Sequence, residues 1–385
     1  MAKCYEIKAL PGKGNALVAV RPLTPGTVIL SEAPIMSVPM SGNGHSAEST
    51  SEAAIMQAFD RLSAKQQKEL LSLHANSGTG LGFDHKTPMP VRIFRTNAIG
   101  NETHSRVFLD LSRINHSCLP NASVEQNDCV IADKHIAKGE EVTIDYRANI
   151  NSRMTASQRA LGLHLFYEFS CDCLACRPST FQRMSDMRRT LINALPAAVL
   201  EGTYPPIYPD GTAEYYDADP QPLRDKLTLT QRIEYQFLLA KLYEAEGLPG
   251  VMTSTFYHNA AEDLLQLLKQ ESRHNVMKGI TPLEAAYCIK TWADEAIRLL
   301  EHTRGPTYPY AVYDRQQMKK WQENSVIAIA LAFLRKNPNG WAKKELRPFA
   351  ITMDNHSKTD FIFTHEEYWR LIMGRVLECR TLSQS

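Results

Sequence analysis

Residues 115–121 read Asn115-His116-Ser117-Cys118-Leu119-Pro120-Asn121, and residues 171–176 read Cys171-Asp172-Cys173-Leu174-Ala175-Cys176. The second stretch offers three closely spaced thiols, and a tetrahedral zinc site needs four ligands. Three cysteines can also be ordinary small core residues. A Cys-x-Cys-x-x-Cys run is rare by chance, however, and the ligand rules favour zinc. Cys118 is the natural fourth ligand and Cys129 its competitor. If Cys118 supplies that bond, the Asn115-His116 pair beside it is pinned next to the metal. A structural zinc would then hold a polar, potentially catalytic loop in place.

The chain is 385 residues long, room for two or three domains, and with 43% apolar residues it can bury a full core. Lys plus Arg number 43 and Asp plus Glu 42, a net charge of +1, which gives no general pull toward nucleic acid or membrane. No long apolar run opens the sequence and no stretch approaches a membrane span, so neither a signal peptide nor a transmembrane helix is expected. Eight cysteines are too few for a disulfide scaffold. The isolated Cys4, Cys129, Cys288 and Cys379 fit reduced thiols of the cytosol or nucleus.

Outward from the decisive stretch, the pattern predicts an α+β chain. Residues 1–40 read as strands and turns, with apolar runs at Ala16–Val20 and Val28–Leu30 around a Pro25-Gly26 turn. Residues 41–90 read as a loose Ser- and Gly-rich connection, a helical insert opened by the Ser63/Gln66 capping box, and a return to loop. Residues 91–178 resume strands at Val91–Phe94, Val107–Leu109, Val130-Ile131 and Val142–Ile144. A helix behind Thr155 and Gln158 then leads to the cysteines. Residues 179–385 read as amphipathic helices, apart from the Pro- and Tyr-rich 204–222. Thr281-Pro282-Leu283-Glu284 is a strong helix start, and paired helices of this length suggest a repeat-like array.

Taken singly, the polar motifs are weak. Gly12-Lys13-Gly14-Asn15 is a tight turn, Asn115-His116 a satisfied turn, Tyr146 a packed strand end, and Tyr167 and Phe169 core aromatics. Their order decides. Gly-Lys-Gly-Asn, Asn-His-Ser-Cys, Gly139-Glu140-Glu141-Val142-Thr143-Ile144-Asp145-Tyr146 and Tyr167-Glu168-Phe169-Ser170-Cys171 follow one another, and in this the chain resembles the SET-domain methyltransferases. It is most similar to their branch with a split domain, which includes the SET-and-MYND proteins. The resemblance covers roughly residues 5–40 and 91–178, the two halves of the domain.

The resemblance implies a β-fold of several short sheets, with a knot-like crossing where the Asn-His-Ser-Cys segment meets the chain after Tyr146. It implies S-adenosylmethionine as cofactor, with Lys13, Asn15, Asn97, Asn115, His116 and Phe169 around it. Tyr146 would be the central catalytic hydroxyl and Tyr167 a wall of the acceptor channel. Cys118, Cys171, Cys173 and Cys176 would hold structural zinc.

Three departures bear on the acceptor. Residues 41–90 hold no cysteine, so the MYND zinc module is missing. Ile99 stands where relatives place Phe, and Arg147 directly follows the tyrosine. A protein lysine is the family's acceptor. A small dicarboxylic acid, recruited by Arg147 or Arg113 and becoming an O-methyl ester, is the alternative. A non-catalytic scaffold whose helical region binds a partner is the third reading, against which the retained Tyr146 and Asn115-His116 argue. No direct nucleic-acid or membrane partner is expected.

Overall fold

The computed structural model describes residues 3–40, 50–77, 86–100, 103–125, 128–147, 151–196, 199, 203–204, 221–222, 227–248, 250–270 and 281–336. The chain divides into two compact units: residues 1–151 with 156–182, and residues 152–155 with 183–385. The first is built of short, mostly antiparallel sheets and the second is mostly helical, an α+β architecture as the sequence pattern predicts.

In the first unit β1 (Tyr5–Leu10) and β2 (Gly14–Ala19) form a hairpin. Gly12 and Gly14 turn it at φ 72° and 70°, which a side chain would disfavour. β3 (Val28–Ser31), β8 (Ala122–Val124) and β9 (Cys129–Ala132) form one three-stranded sheet, ordered β3-β9-β8. β4 (Met36–Pro39), β5 (Ile99–Gly100) and β6 (His104–Val107) form another, ordered β4-β6-β5. Leu17, Leu23, Phe108, Val130, Ile136 and Val142, all fully buried, fill the core between these elements.

The insert carries α1 (Glu52–Asp60), capped by Ser51, and α2 (Ala64–Leu70), opened by the Ser63/Gln66 capping box. Residues 41–49 and 78–85, assigned to loop from composition, lie outside the described residues. The strand expected at Val91–Phe94 is instead part of a helix, α3 (Met89–Asn97). Val91, Ile93 and Phe94 are buried together on one helical face, and Pro90 sits in the first turn, where it costs no hydrogen bond. Helical periodicity thus overrides the β-branched composition of this run. β6 also ends at Val107, short of the expected Leu109. The amides of Leu109, Asp110 and Leu111 turn to the Glu32 carboxylate at 3.0–3.1 Å instead of extending the ladder.

A 3₁₀ turn at Leu111–Arg113 then delivers the chain to β7 (Asn115–His116), which pairs in parallel with β10 (Thr143–Ile144). α4 (Ala156–Tyr167) leads from there to the cysteine run.

α5 (Thr180–Pro196) carries the chain into the helical unit. There α6 (Leu229–Ala245), α7 (Val251–Gln270) and α8 (Pro282–Arg304) pack in succession. α9 (Pro309–Trp321) and α10 (Ser325–Lys336) both rest on α8. The Thr281/Glu284 capping box opens α8 as expected. Trp292, Phe256, Tyr257 and Ile289 centre its core. Most of 204–222 lies outside the described residues. Among those described, no helix is long and apolar enough to cross a membrane.

Candidate active site and metal centre

The thiol sulfurs of Cys118, Cys171, Cys173 and Cys176 all lie within 4.8 Å of one another. Cys118 Sγ is 4.0 Å from Cys171 Sγ and 3.5 Å from Cys176 Sγ. A tetrahedron with Zn–S bonds of about 2.3 Å has an edge of about 3.8 Å, so the donor set fits zinc. Cys129 belongs to β9 and lies outside this group of four, whereas Cys118 is within it.

Behind the sulfurs lies Arg159, fully buried on α4. Its Nη2 donates to the Ala175 carbonyl at 2.6 Å and reaches Cys176 Sγ at 3.4 Å. The four thiols titrate as a group: hydrogen bonds from their neighbours draw Cys173 and Cys176 below the ordinary thiol range, the guanidinium adding to the effect on Cys176, while Cys118 and Cys171 are pushed above it. A buried cation beside four sulfurs suits thiolates and not neutral thiols.

His116 joins this cluster to Tyr146. Its Nδ1 accepts from the Tyr146 backbone N–H at 3.2 Å, which assigns the ring proton to Nε2. Nε2 is then aimed at Cys118 Sγ, 3.2 Å away. Asp145 Oδ1 stands 3.5 Å from the same Nδ1. That distance is no ion pair while Nδ1 is the acceptor. The carboxylate instead accepts from the Arg147 N–H at 3.1 Å and the Asn151 amide at 2.6 Å.

Tyr146 donates its hydroxyl to the Ile114 carbonyl at 2.9 Å. Burial pushes its pKa well above the ordinary tyrosine value, with the Tyr167 and Glu141 charges adding to the effect. The hydroxyl therefore stays neutral. Tyr167 packs at 5.0 Å between ring centroids and Phe169 at 6.2 Å, while Phe169 also meets His116 at 5.8 Å. Ile99 packs into the same apolar cluster as Tyr146.

Asn115 donates to Glu141 Oε1 at 2.7 Å, and Lys13 Nζ meets Glu141 Oε2 at 2.9 Å. The hydrogen bond to Glu141 raises the Lys13 pKa, so the amine is a persistent cation. Glu141 is itself fixed by a backbone bridge to Val18 of β2. Three remote segments thus meet on one carboxylate that the sequence reading did not single out, although it lies inside the Gly-Glu-Glu-Val run.

The other expected site residues have these surroundings. Asn15 is exposed in β2, opposite Ala9. Asn97 ends α3 and donates to the His74 and Ile93 carbonyls at 2.7 and 2.8 Å. Arg113 donates to Ser72 Oγ at 2.9 Å. The Arg147 guanidinium lies over the Phe166 ring, 4.8 Å from its centroid, and close against Gly162 of α4. A side chain at Gly162 would come within 2.7 Å of it.

Short sheets, a parallel β7–β10 contact and a tyrosine coupled to a four-cysteine cluster define a SET domain followed by a cysteine motif. The SET domain family's pattern matches residues 14–147 of the chain. It is similar to histone-lysine N-methyltransferase set5 of Schizosaccharomyces pombe, 27% identical over 192 residues, covering 48% of this chain and 54% of that protein. Histone-lysine N-methyltransferase SET5 of Candida albicans is 37% identical over 83 residues, 20% of this chain and 17% of that protein. Histone-lysine N-methyltransferase SMYD3 of Mus musculus is 36% identical over 84 residues, 21% of this chain and 19% of that protein. The chain spans about half the length of the Schizosaccharomyces protein and a smaller share of the other two.

Proposed function

We propose that this chain is an S-adenosylmethionine-dependent methyltransferase acting on protein lysine, with zinc on its four clustered cysteines. The observation that carries the reading is Tyr146, neutral and walled by Tyr167 and Phe169, bonded through its own backbone to His116. The SET match and the histone-lysine methyltransferases among its relatives support the same conclusion.

S-adenosylmethionine, when bound, supplies an electrophilic methyl on a sulfonium. Lys13, Asn115 and their shared Glu141 form a polar wall suited to its charged amino-acid end, and Phe169 offers an aromatic face. Tyr146 donates its hydroxyl hydrogen bond to the Ile114 carbonyl, so its oxygen lone pairs remain to complement positive charge. A lysine ammonium, with a reference pKa of about 10.4, has no lone pair to attack with. A dry aromatic wall favours its neutral form. Aligning that amine is the larger part of the task, since a positioned acceptor needs no covalent intermediate.

The carboxylate alternative has less support, since Arg147 lies on Phe166 and Arg113 bonds Ser72. Lysines of histones or other nuclear and cytosolic proteins are the acceptors that fit. The test is to give purified protein labelled S-adenosylmethionine with core histones and, separately, with small dicarboxylic acids. We expect cofactor binding by calorimetry and label on histone. Label on the dicarboxylic acids would overturn the acceptor, and absence of cofactor binding would overturn the activity.

A further inference from the structure

Glu168 separates the two aromatic residues that flank Tyr146, and its φ is 58°. That left-handed conformation is sparsely populated by residues with a side chain. It ends α4, where the Glu168 N–H still reaches the His164 carbonyl at 3.0 Å. Glycine is the usual residue at such a helix end. Here the side chain is put to use instead. Its carboxylate accepts from the Ser77 backbone N–H at 2.8 Å and from the Ser77 hydroxyl.

Ser77 is not a loose partner. Its carbonyl accepts from Arg92 Nη1 at 2.9 Å. Its neighbour Asn76 is fully buried, donates its backbone N–H to Thr96 Oγ1 at 3.0 Å, and donates its side-chain amide to the Phe166 carbonyl at 3.2 Å. His74 is tied by its carbonyl to Asn97 at 2.7 Å. Residues 74–77, which follow α2, are therefore strapped to α3 on one side. On the other they hold the backbone of Phe166 and the carboxylate of Glu168. The reversal between them aims both Tyr167 and Phe169 at Tyr146.

We infer that the His74–Ser77 segment is a clamp, acting through the positioning residue Glu168, that sets the aromatic wall of the acceptor site and with it the fit of the acceptor. The inference rests on the methyltransferase reading and deepens it. The clamp holds Tyr167 on the acceptor side and Phe169, which also offers its face to the cofactor, so it bears on the acceptor through Tyr167 and reaches the cofactor only through Phe169. It also explains why an exposed serine and a half-buried glutamate hold a strained turn. Such strain persists where surrounding contacts over-determine it, and it collects at binding sites.

The test uses the full chain with S-adenosylmethionine and core histones. Glu168→Gly keeps the backbone free to adopt the turn while deleting the carboxylate. Glu168→Gln keeps an acceptor for the Ser77 N–H. For Glu168→Gly we expect the histone KM to rise roughly fivefold or more, with kcat within about twofold of wild type. Glu168→Gln should restore most of the KM, and zinc content should not change in either variant. An unchanged histone KM in zinc-loaded Glu168→Gly overturns the inference while leaving the activity in place. So does a loss confined to kcat, which a purely structural defect would give. A wild-type chain that binds no S-adenosylmethionine, or labels no histone, overturns the reading beneath it.

Discussion

Replacing Arg159 by methionine should loosen the metal while leaving the surrounding fold in place. Four thiolates around one zinc ion carry a net double negative charge in a buried setting. The Arg159 guanidinium offsets part of it from 3.4 Å off Cys176 Sγ. At an effective dielectric constant of about 20 a charge pair at that range is worth about 4–5 kcal/mol. The burial of an uncompensated cation in the metal-free protein works in the same direction, because it favours the loaded state. Against this, the guanidinium is itself desolvated, as it is fully buried. The net effect should match other groups one bond away from a metal ligand, about 10- to 100-fold in affinity, or about 1.4–2.7 kcal/mol. Methionine fills a similar volume but leaves the Ala175 carbonyl without its donor, at about 1–3 kcal/mol. Lysine restores the charge without the planar fork and should fall between. The assay is competition for zinc against a chromophoric chelator, with circular dichroism to confirm the fold. A folded Arg159→Met protein that binds zinc within about twofold of wild type would refute the argument.

Three further outcomes follow from the same geometry. Tyr146→Phe removes the hydroxyl bonded to Ile114 and should lower kcat about 100-fold or more, with cofactor Kd and zinc content unchanged; near-normal turnover would end its assigned role. Glu32→Ala strips the acceptor from the Leu109, Asp110 and Leu111 amides and should cost about 3 kcal/mol in urea unfolding. A cost below about 1 kcal/mol would show that solvent replaces the carboxylate freely. Burial raises the pKa of Tyr146 and of Tyr257 above their unfolded value. Their contribution is then complete below about pH 10, where both states are protonated. It declines above that pH, because the unfolded chain ionises first. Stability measured from pH 8 to 11 should fall only at the alkaline end, and turnover should show no loss from Tyr146 ionisation near its ordinary pKa.

The sequence exposed those parts of the site whose residues announce a chemistry. A Cys-x-Cys-x-x-Cys run, an Asn-His-Ser-Cys stretch and an Ile-Asp-Tyr end are legible because few other structures need them. The structure brings Cys118, His116, Tyr146, Tyr167 and Phe169 together accordingly. What stayed hidden acts through the backbone or through pairing across long separations. Glu141 reads as one of many charged residues, yet it joins positions 13 and 115. Arg159 lies in a helix, where an arginine is ordinarily solvated, and only folding shows that it faces the sulfurs. Glu168 occupies a helix end where its conformation, not its identity, is informative. Arg147 is a case where adjacency in sequence says little about direction: it follows Tyr146, but successive residues diverge, and its guanidinium lies over Phe166 of the following helix. In α3, composition favoured a strand while spacing favoured a helix, and spacing prevailed because burial follows one face.

The position of the cysteine cluster has a consequence for the chemistry. β7 is only two residues long and is paired in parallel with β10, a contact too short to fix its own register. A slip of one residue would turn Asn115 away from Glu141 and His116 away from Tyr146, since neighbouring side chains in a strand point to opposite sides. Two local ties oppose the slip: the Ser117 N–H on the Ile144 carbonyl at 3.0 Å, and the His116 ring between Tyr146 and Cys118. Zinc on Cys118 would add a third and far stiffer one, because the other three ligands come from residues 171–176 beyond α4. A metal bound there touches none of the reacting atoms. It would act on turnover by holding a two-residue strand in the one register that gives Tyr146 its partners. Stepwise chelation of zinc should therefore weaken cofactor binding and turnover in parallel, before the strands of the larger sheets are lost.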